Sequence, residues 1–315
     1  MSSPPGHTIQ RPVRYLEMLA RAAAHVDAHL DSDLGADVLA ERAAMSRHHF
    51  HRIFRAYFGT TVQAYVTWRR LQRACELLAG GDRTVLEVAL EVGYDSAQAL
   101  AKAMRRELDT TPTAVRAGEL PQWRRLFDRR SAPPQEGAQI DGDLMLKPQF
   151  VDVPAMPVLT ATGRGMDDCD MGRAARQAYG ELLPAVQAAG LSPRVASCIA
   201  LFPDTPQGSD DQQARLLGGV VFDHALAERS GTPGRPDIAL TGSLAWAAVD
   251  AGRCAVFRHV GPYSELHRTW TAIYRDWLPA TGHALRDAPP FELYVDDPQT
   301  TPPERLRTDI YLPLP

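Results

Sequence analysis

The sequence predicts an all-α part with two helix-turn-helix units, then an α+β part of two strand-helix-strand-strand repeats on an antiparallel sheet. Three observations carry this prediction. Residues 84–116, TVLEVALEVGYDSAQALAKAMRRELDTTPTAVR, read as two short helices around a glycine turn. The same pattern stands fifty residues upstream. From Leu144 onward, helical spacing gives way to strand-like runs.

Taken in order, residues 1–12 have the composition of a disordered leader. Between residues 14 and 30, Tyr15, Leu16, Leu19, Ala23, Val26 and Leu30 recur at helical spacing and predict a bracing helix. A second helix is expected over 36–44 and a third over 46–58, with Phe50, Ile53, Phe54 and Phe58 on its inner face. Residues 62–79 form a long helix closed by Gly80-Gly81. Thr84 and Glu87 make a capping box, followed by apolar Leu86, Ala89 and Leu90. After Gly93, Ser96 caps a helix that runs to about Leu108, and Pro112 stops it.

The repeat is close in residue type. Ser46 matches Ser96, Phe50 matches Leu100, Phe54 matches Met104, Phe58 matches Leu108, and Thr60-Thr61 matches Thr110-Thr111. A fixed-period match signals duplicated structure. With LL at 77–78, ALEVGYDS at 89–96 and TP at 111–112, residues 13–118 resemble the AraC/XylS family of transcription regulators. The resemblance implies two helix-turn-helix units joined by one long helix, bound to successive major-groove segments of double-stranded promoter DNA. By motif position, His48, His51 and Arg52 of the first recognition helix and Gln98 and Lys102 of the second would face base edges. Arg47, Arg55, Arg105 and Arg106 would hold phosphates. The second unit departs from the family in Ala97, Ala101, Leu100, Met104 and Asp109, which shifts the expected base discrimination toward the first helix. Asp109 also stands where glycine is common, which puts the turn geometry in question.

Residues 119–143 combine a short apolar stretch, Trp123, Leu126 and Phe127, with the linker composition SAPPQEGAQ. The second part, 144–315, shows strand-like runs at 145–153, 155–165, 195–202, 216–223, 243–250, 254–263, 291–297 and 309–312, with helices expected over 172–189 and 264–278. VGPYSEL at 260–266, Trp277, FELYVDDP at 291–298 and TPPERLRTDIYLPL at 301–314 resemble the gyrase-inhibitor-like small-molecule-binding domain. That resemblance implies a groove between two repeats that takes a small amphipathic or cationic compound on aromatics and an acid. Alternation in FELYV puts Glu292 and Tyr294 on one face, and helical spacing groups His267, Trp270, Tyr274 and Trp277. The candidate ligand residues are therefore Glu292, Tyr294, Tyr263, Trp270, Tyr274 and Trp277, with Glu292 as the acid. Two other readings stay open for this part. Glu292 with Tyr294 or Tyr263 could supply acid/base chemistry for hydrolysis of electrophiles. The domain could instead bind a protein partner.

Composition agrees with a regulator in the cytoplasm. There is no apolar run of membrane-spanning length. Cys75, Cys169, Cys198 and Cys254 are dispersed, which predicts free thiols, and the His25/His29 pair lacks a third metal ligand. No cofactor, metal or catalytic motif is expected. Residues 1–130 carry 19 Lys and Arg against 15 Asp and Glu, so the excess of acid in the 315-residue chain, 34 basic against 38 acidic residues, lies in the remainder. A basic half suits phosphates and an acidic half suits cations. RNA polymerase is left open as a further partner, and no membrane partner is expected.

Overall fold

The computed structural model describes residues 15–118 and 146–315, apart from 169, 205, 207–209 and 224–233. The leader, the linker with its expected short helix, and Cys169 therefore lie outside the described residues. The chain divides into two compact units, one within residues 16–144 and one within 145–315. No described helix is long and apolar enough to cross a membrane. Each unit is built as follows.

The first unit is all-α: α1 (Tyr15–Ala28), α2 (Ala36–Arg42), α3 (Arg47–Phe58), α4 (Val62–Ala79), α5 (Val85–Glu91), α6 (Ala97–Leu108) and α7 (Pro112–Arg116). Duplication is visible in the caps. Ser46 accepts from the His49 amide at 3.4 Å and Ser96 from the Ala99 amide at 3.1 Å. Thr61 and Thr111 cap α4 and α7 in the same way, each at 3.2 Å. Phe50, Phe54, Leu100 and Met104 are fully buried, as the matched inner faces require. The match is not uniform: α2 and α3 are separated by residues 43–46, whereas α5 and α6 are separated by 92–96, so the second turn is one residue longer.

The capping box at Thr84 and Glu87 forms, with the Thr84 amide donating to Glu87 at 2.7 Å. The buried face of α5 differs from the one expected. Val88, Ala89 and Val92 enter the core with Leu71, Leu78, Leu100 and Met104, whereas Leu86 and Leu90 stand about half exposed. In a helix of two turns, the side facing α4 selects the core residues, and several apolar residues compete for it.

Asp109 ends α6 in the left-handed conformation at φ 50°, where α3 ends in Gly59 at φ 67°. Asp tolerates this region better than most residues, yet its charge also sits at the negative end of a helix. Asp109→Gly is expected to stabilise the protein by roughly 1 kcal/mol, seen as a higher denaturant midpoint at unchanged slope. An unchanged or lower midpoint would show that the aspartate bears no such strain.

The second unit contains β1 (Gln149–Val153), β2 (Met156–Arg164), α8 (Gly172–Ala188), β3 (Val195–Leu201), β4 (Arg215–Phe222), β5 (Ala245–Val249), β6 (Gly252–Val260), α9 (Leu266–Ala272), α10 (Leu278–Thr281), β7 (Phe291–Tyr294) and β8 (Arg307–Pro313). A π-helical turn, Ile273–Trp277, joins α9 to α10. The strands make one antiparallel sheet in the order β1-β6-β8-β7-β3-β4-β2-β5. The two repeats exchange their first strands, since β1 pairs with β6 and β5 pairs with β2. The resulting order reads the same from either end when repeats are interchanged, so a pseudo-two-fold passes between β3 and β7.

The two faces of the sheet have different roles. One gathers Val153, Val158, Ile199, Leu201, Val221, Val249, Cys254, Val256 and Phe291 into a single apolar cluster. The other is covered by helices: α8 lays Leu182 and Val186 on Leu159, Val220 and Phe222, and Ala174 and Ala178 on Ala200 and Leu216. Period-2 alternation along β7 places Phe291 and Leu293 with the first face. Glu292 and Tyr294 thus point to the helix side.

Candidate functional sites

The first candidate site is the outer face of α3 and α6. Both helices bury one apolar stripe, so the residues opposite it are presented together. On α6, Gln98, Lys102, Arg105 and Arg106 are presented on this outer side, with Arg105 and Arg106 exposed. On α3, Arg47 is the first residue and Arg52 and Arg55 are half-buried, while the side chain of His48 lies outside the described ones. Arg52 and Lys102 occupy equivalent positions in the repeat, as do Arg55 and Arg105. At the surface Arg47 pairs with Asp37 at 3.2 Å and Arg106 with Glu107 at 2.6 Å. Such exposed pairs are weak and exchangeable for phosphate.

His51 corrects the expectation from sequence. It is buried, at 5% exposure, and is not a surface residue facing base edges. Its position falls beside Phe50 and Phe54 on the inner stripe, and its repeat counterpart is the half-buried Ala101. A histidine in a run of cations reads as exposed only until the helical phase is fixed by packing.

Within the all-α part, the two helix-turn-helix halves are tied by Arg70 on α4. Its Nε donates to the Leu30 carbonyl at 2.9 Å and its Nη2 to the Ser32 carbonyl at 2.8 Å, which fastens the segment after α1. The same guanidinium lies 6.0 Å from the Tyr94 ring centroid, beside the turn between α5 and α6. Asp27 on α1 accepts from Arg69 at 2.6 Å. The long helix thus anchors both helix-turn-helix units.

The second candidate site is an acid among aromatics. Glu292 is buried at 3% exposure, and both its oxygens are engaged: Trp270 Nε1 donates to one at 2.7 Å and the Tyr294 hydroxyl to the other at 3.0 Å. Tyr263 stands 5.2 Å from the Tyr294 ring, and Tyr274 stacks on Trp270 at 5.9 Å with an interplanar angle of 11°. Glu292, Tyr294, Tyr263, Trp270 and Tyr274 are therefore brought together.

Trp277 is not part of this group. It packs edge-on to Phe257 at 4.8 Å and stacks on His283 at 5.3 Å. The π-helical turn explains this, because its wider winding takes up more residues per turn and rotates Trp277 off the face that holds Trp270 and Tyr274. His267 is likewise turned away, its Nδ1 donating to the Ser264 carbonyl at 2.8 Å.

Two aromatic members were not foreseen. Tyr179 on α8 lies 6.1 Å from the Tyr294 ring and donates its hydroxyl to the Ile199 carbonyl at 2.5 Å. Phe202, following β3, meets Trp270 edge-on at 5.7 Å. Both come from the first repeat, whose sequence lacks the motifs of the second. A signal did exist: Asp204-Thr-Pro-Gln before Arg215-Leu recurs as Asp296-Asp-Pro-Gln before Arg307-Thr, and aligning the two places Phe202 on Tyr294.

Burial raises the Glu292 carboxyl to about 7, against partial lowering by the Trp270 and Tyr294 hydrogen bonds. The Tyr294 phenol is pushed well above its ordinary value, by burial first and then by the Glu292 charge. Burial also takes Tyr263 up to about 12. At neutral pH the tyrosines are uncharged, and Tyr294 donates to a carboxyl near its midpoint. In general, an acid set among aromatic faces can attract a positive charge. Among the described residues no group of three His, Cys, Asp or Glu is placed to hold a metal ion. Cys75 and Cys254 are buried and Cys198 is half-buried, all as free thiols.

Comparison with known proteins assigns both parts of the chain. The family described as GyrI-like small molecule binding domain matches residues 146–315, and a helix-turn-helix domain matches residues 39–118. The probable transcriptional regulator YgiV of Escherichia coli is 43% identical over 63 residues, which is 20% of this chain and 39% of that protein. The regulatory protein SoxS of Salmonella typhimurium is 34% identical over 79 residues, 25% of this chain and 74% of that protein. Among solved structures, a hydrolase from Listeria innocua covers 54% of this chain and 92% of its own at 18% identity, with a TM-score of 0.37. The chain spans 39% of YgiV and 26% of an uncharacterised HTH-type regulator from Haemophilus influenzae. The acid–aromatic cluster and the duplicated helices lie within the two matched regions, and the chain belongs to the GyrI-like family, with an AraC-type helix-turn-helix domain in front.

Proposed function

We propose that this protein is a one-component transcription regulator of the cytoplasm: residues 13–118 bind promoter DNA, 119–143 link, and 144–315 bind a small amphipathic cation. The observation that carries the effector class is the buried Glu292, held by Trp270 and Tyr294 among further aromatics. The duplicated cationic helices support DNA as partner. A ligand alters promoter output only if it binds differently to two states, through domain orientation, DNA geometry or contact with RNA polymerase.

Binding to the protein's own promoter should exceed binding to unrelated DNA and weaken as salt rises. Arg52→Ala is expected to lower specific affinity by about 1–3 kcal/mol and relax discrimination at one base position, whereas Arg105→Ala should weaken all sequences alike and reduce the salt slope by about 1. Titrations on matched and mismatched duplexes at several salt concentrations check this. Equal affinity for promoter and unrelated DNA would refute the regulator reading. Turnover of an electrophilic ligand would instead favour hydrolysis, with Glu292 and Tyr294 or Tyr263 as acid/base groups.

A further inference from the structure

The two repeats of the sheet correspond residue for residue, yet they have diverged at one place. Strand β1, Gln149–Val153, corresponds to β5, Ala245–Val249, and β2, Met156–Arg164, to β6, Gly252–Val260. The pairing registers agree with this: Val151 pairs with Cys254, and its counterpart Ala247 pairs with Val158, the counterpart of Cys254. Farther on, Asp204 takes Arg215 in two hydrogen bonds of 2.5 and 2.7 Å, and Asp296 takes Arg307 in two of 2.9 and 2.6 Å. By this correspondence Arg215 answers to Arg307, Phe202 to Tyr294, and Ala200 to Glu292. Ala200 and Glu292 are also direct partners across the β3–β7 pair. The pseudo-two-fold therefore runs between them.

In the first repeat the helix closes onto the sheet. A Cβ at Gly163 would collide with the Ala174 carbonyl oxygen, and one at Gly218 would meet the Ala178 methyl at 2.9 Å. Ala200 is sealed under these alanines. In the second repeat the counterpart of Gly163 is His259, hydrogen-bonded to Thr269 at 2.9 Å and to the Pro262 carbonyl at 3.4 Å. The counterpart of Gly218 is Ile310. Side chains stand where the first repeat has none, and there the acid, Trp270 and Tyr263 are found. One half of the site is filled by backbone and methyl groups, and the other half holds the acid.

We infer that this site counts charge: it accepts ligands bearing one positive charge and rejects compact ligands bearing two. This rests on the cation-receptor reading above. Among the described residues Glu292 is the one buried carboxyl in the cluster, its mirror position is an alanine with no room for another, and Glu265 beside His259 is partly exposed and paired with Arg268. The other groups around it are uncharged: Tyr179, Tyr263 and Tyr294 as phenols, Cys198 as a thiol, and His259 held neutral by burial. Asp296 near Tyr263 is already neutralised by Arg307, and Asp297 is exposed and screened by water. A second cationic centre close to the first would be desolvated with no counter-charge.

The test uses the full chain and three probes of nearly one shape: phenylpyridine in its neutral form, methyl-phenylpyridinium and methyl viologen, titrated by calorimetry at alkaline pH. The wild type is expected to bind the monocation roughly tenfold or more tighter than either other probe. Glu292→Gln should move the preference to the neutral probe, and Glu292→Asp should keep the wild-type order at lower affinity, which separates charge from shape. Methyl viologen binding the wild type as tightly as the monocation would overturn the charge-counting inference and leave the cation-receptor reading in place. A monocation preference retained by Glu292→Gln would remove Glu292 as its source. Binding of none of the three would sink the receptor reading and this inference together.

Discussion

Replacing Glu292 by glutamine is expected to stabilise the unliganded protein at about pH 8, by as much as about 3 kcal/mol. The carboxyl titrates near 7 in the folded state against an ordinary value of 4.5. Between those values the folded protein keeps a proton that the unfolded chain has released, so stability falls as pH rises through the window. Above it the folded protein carries a buried charge, and below 4.5 both states are protonated and the difference vanishes. Glutamine keeps the shape, accepts from Trp270 and donates to the Tyr294 oxygen, without the charge. Denaturant unfolding of both proteins from about pH 4 to 8 should give curves that converge in acid and diverge in base. Parallel curves would mean that Glu292 does not titrate in this window. Cation binding must overcome the same charge cost, so affinity should strengthen as pH rises toward 7 and a proton should be released on binding at lower pH.

Gly93→Ala is expected to cost about 3 kcal/mol and to weaken DNA binding as well. Gly93 sits at φ 77° in the turn between α5 and α6, and a Cβ there would overlap the Leu30 carbonyl oxygen and lie 2.7 Å from Arg70 Nη2. The methyl group must therefore displace the guanidinium that joins α1, α4 and the second turn. Gly81 is the control. It has φ 82° and open space for 4 Å around the place a methyl group would take, so Gly81→Ala should cost only the backbone term of about 1 kcal/mol. Thermal and denaturant unfolding of the two variants measure the difference, and promoter titration shows whether the recognition helices have moved. Equal losses in both variants would show that the Arg70 contact contributes little.

The first unit was legible because its signals are local. A serine or threonine cap acts within three residues, so Thr84 and Ser96 declared their helices in sequence and each accepts the expected amide; Ser46, Thr61 and Thr111 cap theirs in the same way. The fifty-residue match fixed the duplication. Which side of each helix faces inward is a different matter, since that depends on residues far along the chain. Val88 and Val92 rather than Leu86 and Leu90 entered the core, and His51 is buried as well.

In the second unit the same division holds at longer range. Alternation in β7 placed Glu292 and Tyr294 on one face, and the fold agrees. Alternation cannot say what covers that face. The burial of Glu292 needs Trp270 from a helix of its own repeat and aromatic neighbours from the other, Tyr179 and Phe202, which no local pattern links to it. The rotation of Trp277 came from a π-helical turn, a small change in winding that side-chain spacing does not reveal. The exchange of first strands between repeats was also decided by the sheet as a whole.

The sequence by itself determined the helices, the strands and the duplication in each half, because these follow from backbone bonds and periodicities spanning a few residues. The tertiary structure alone decided which polar groups are buried, and with them the protonation of Glu292 and the closure of the first repeat around Ala200. Burial is a sum over distant neighbours, and desolvation acts only once those neighbours are in place.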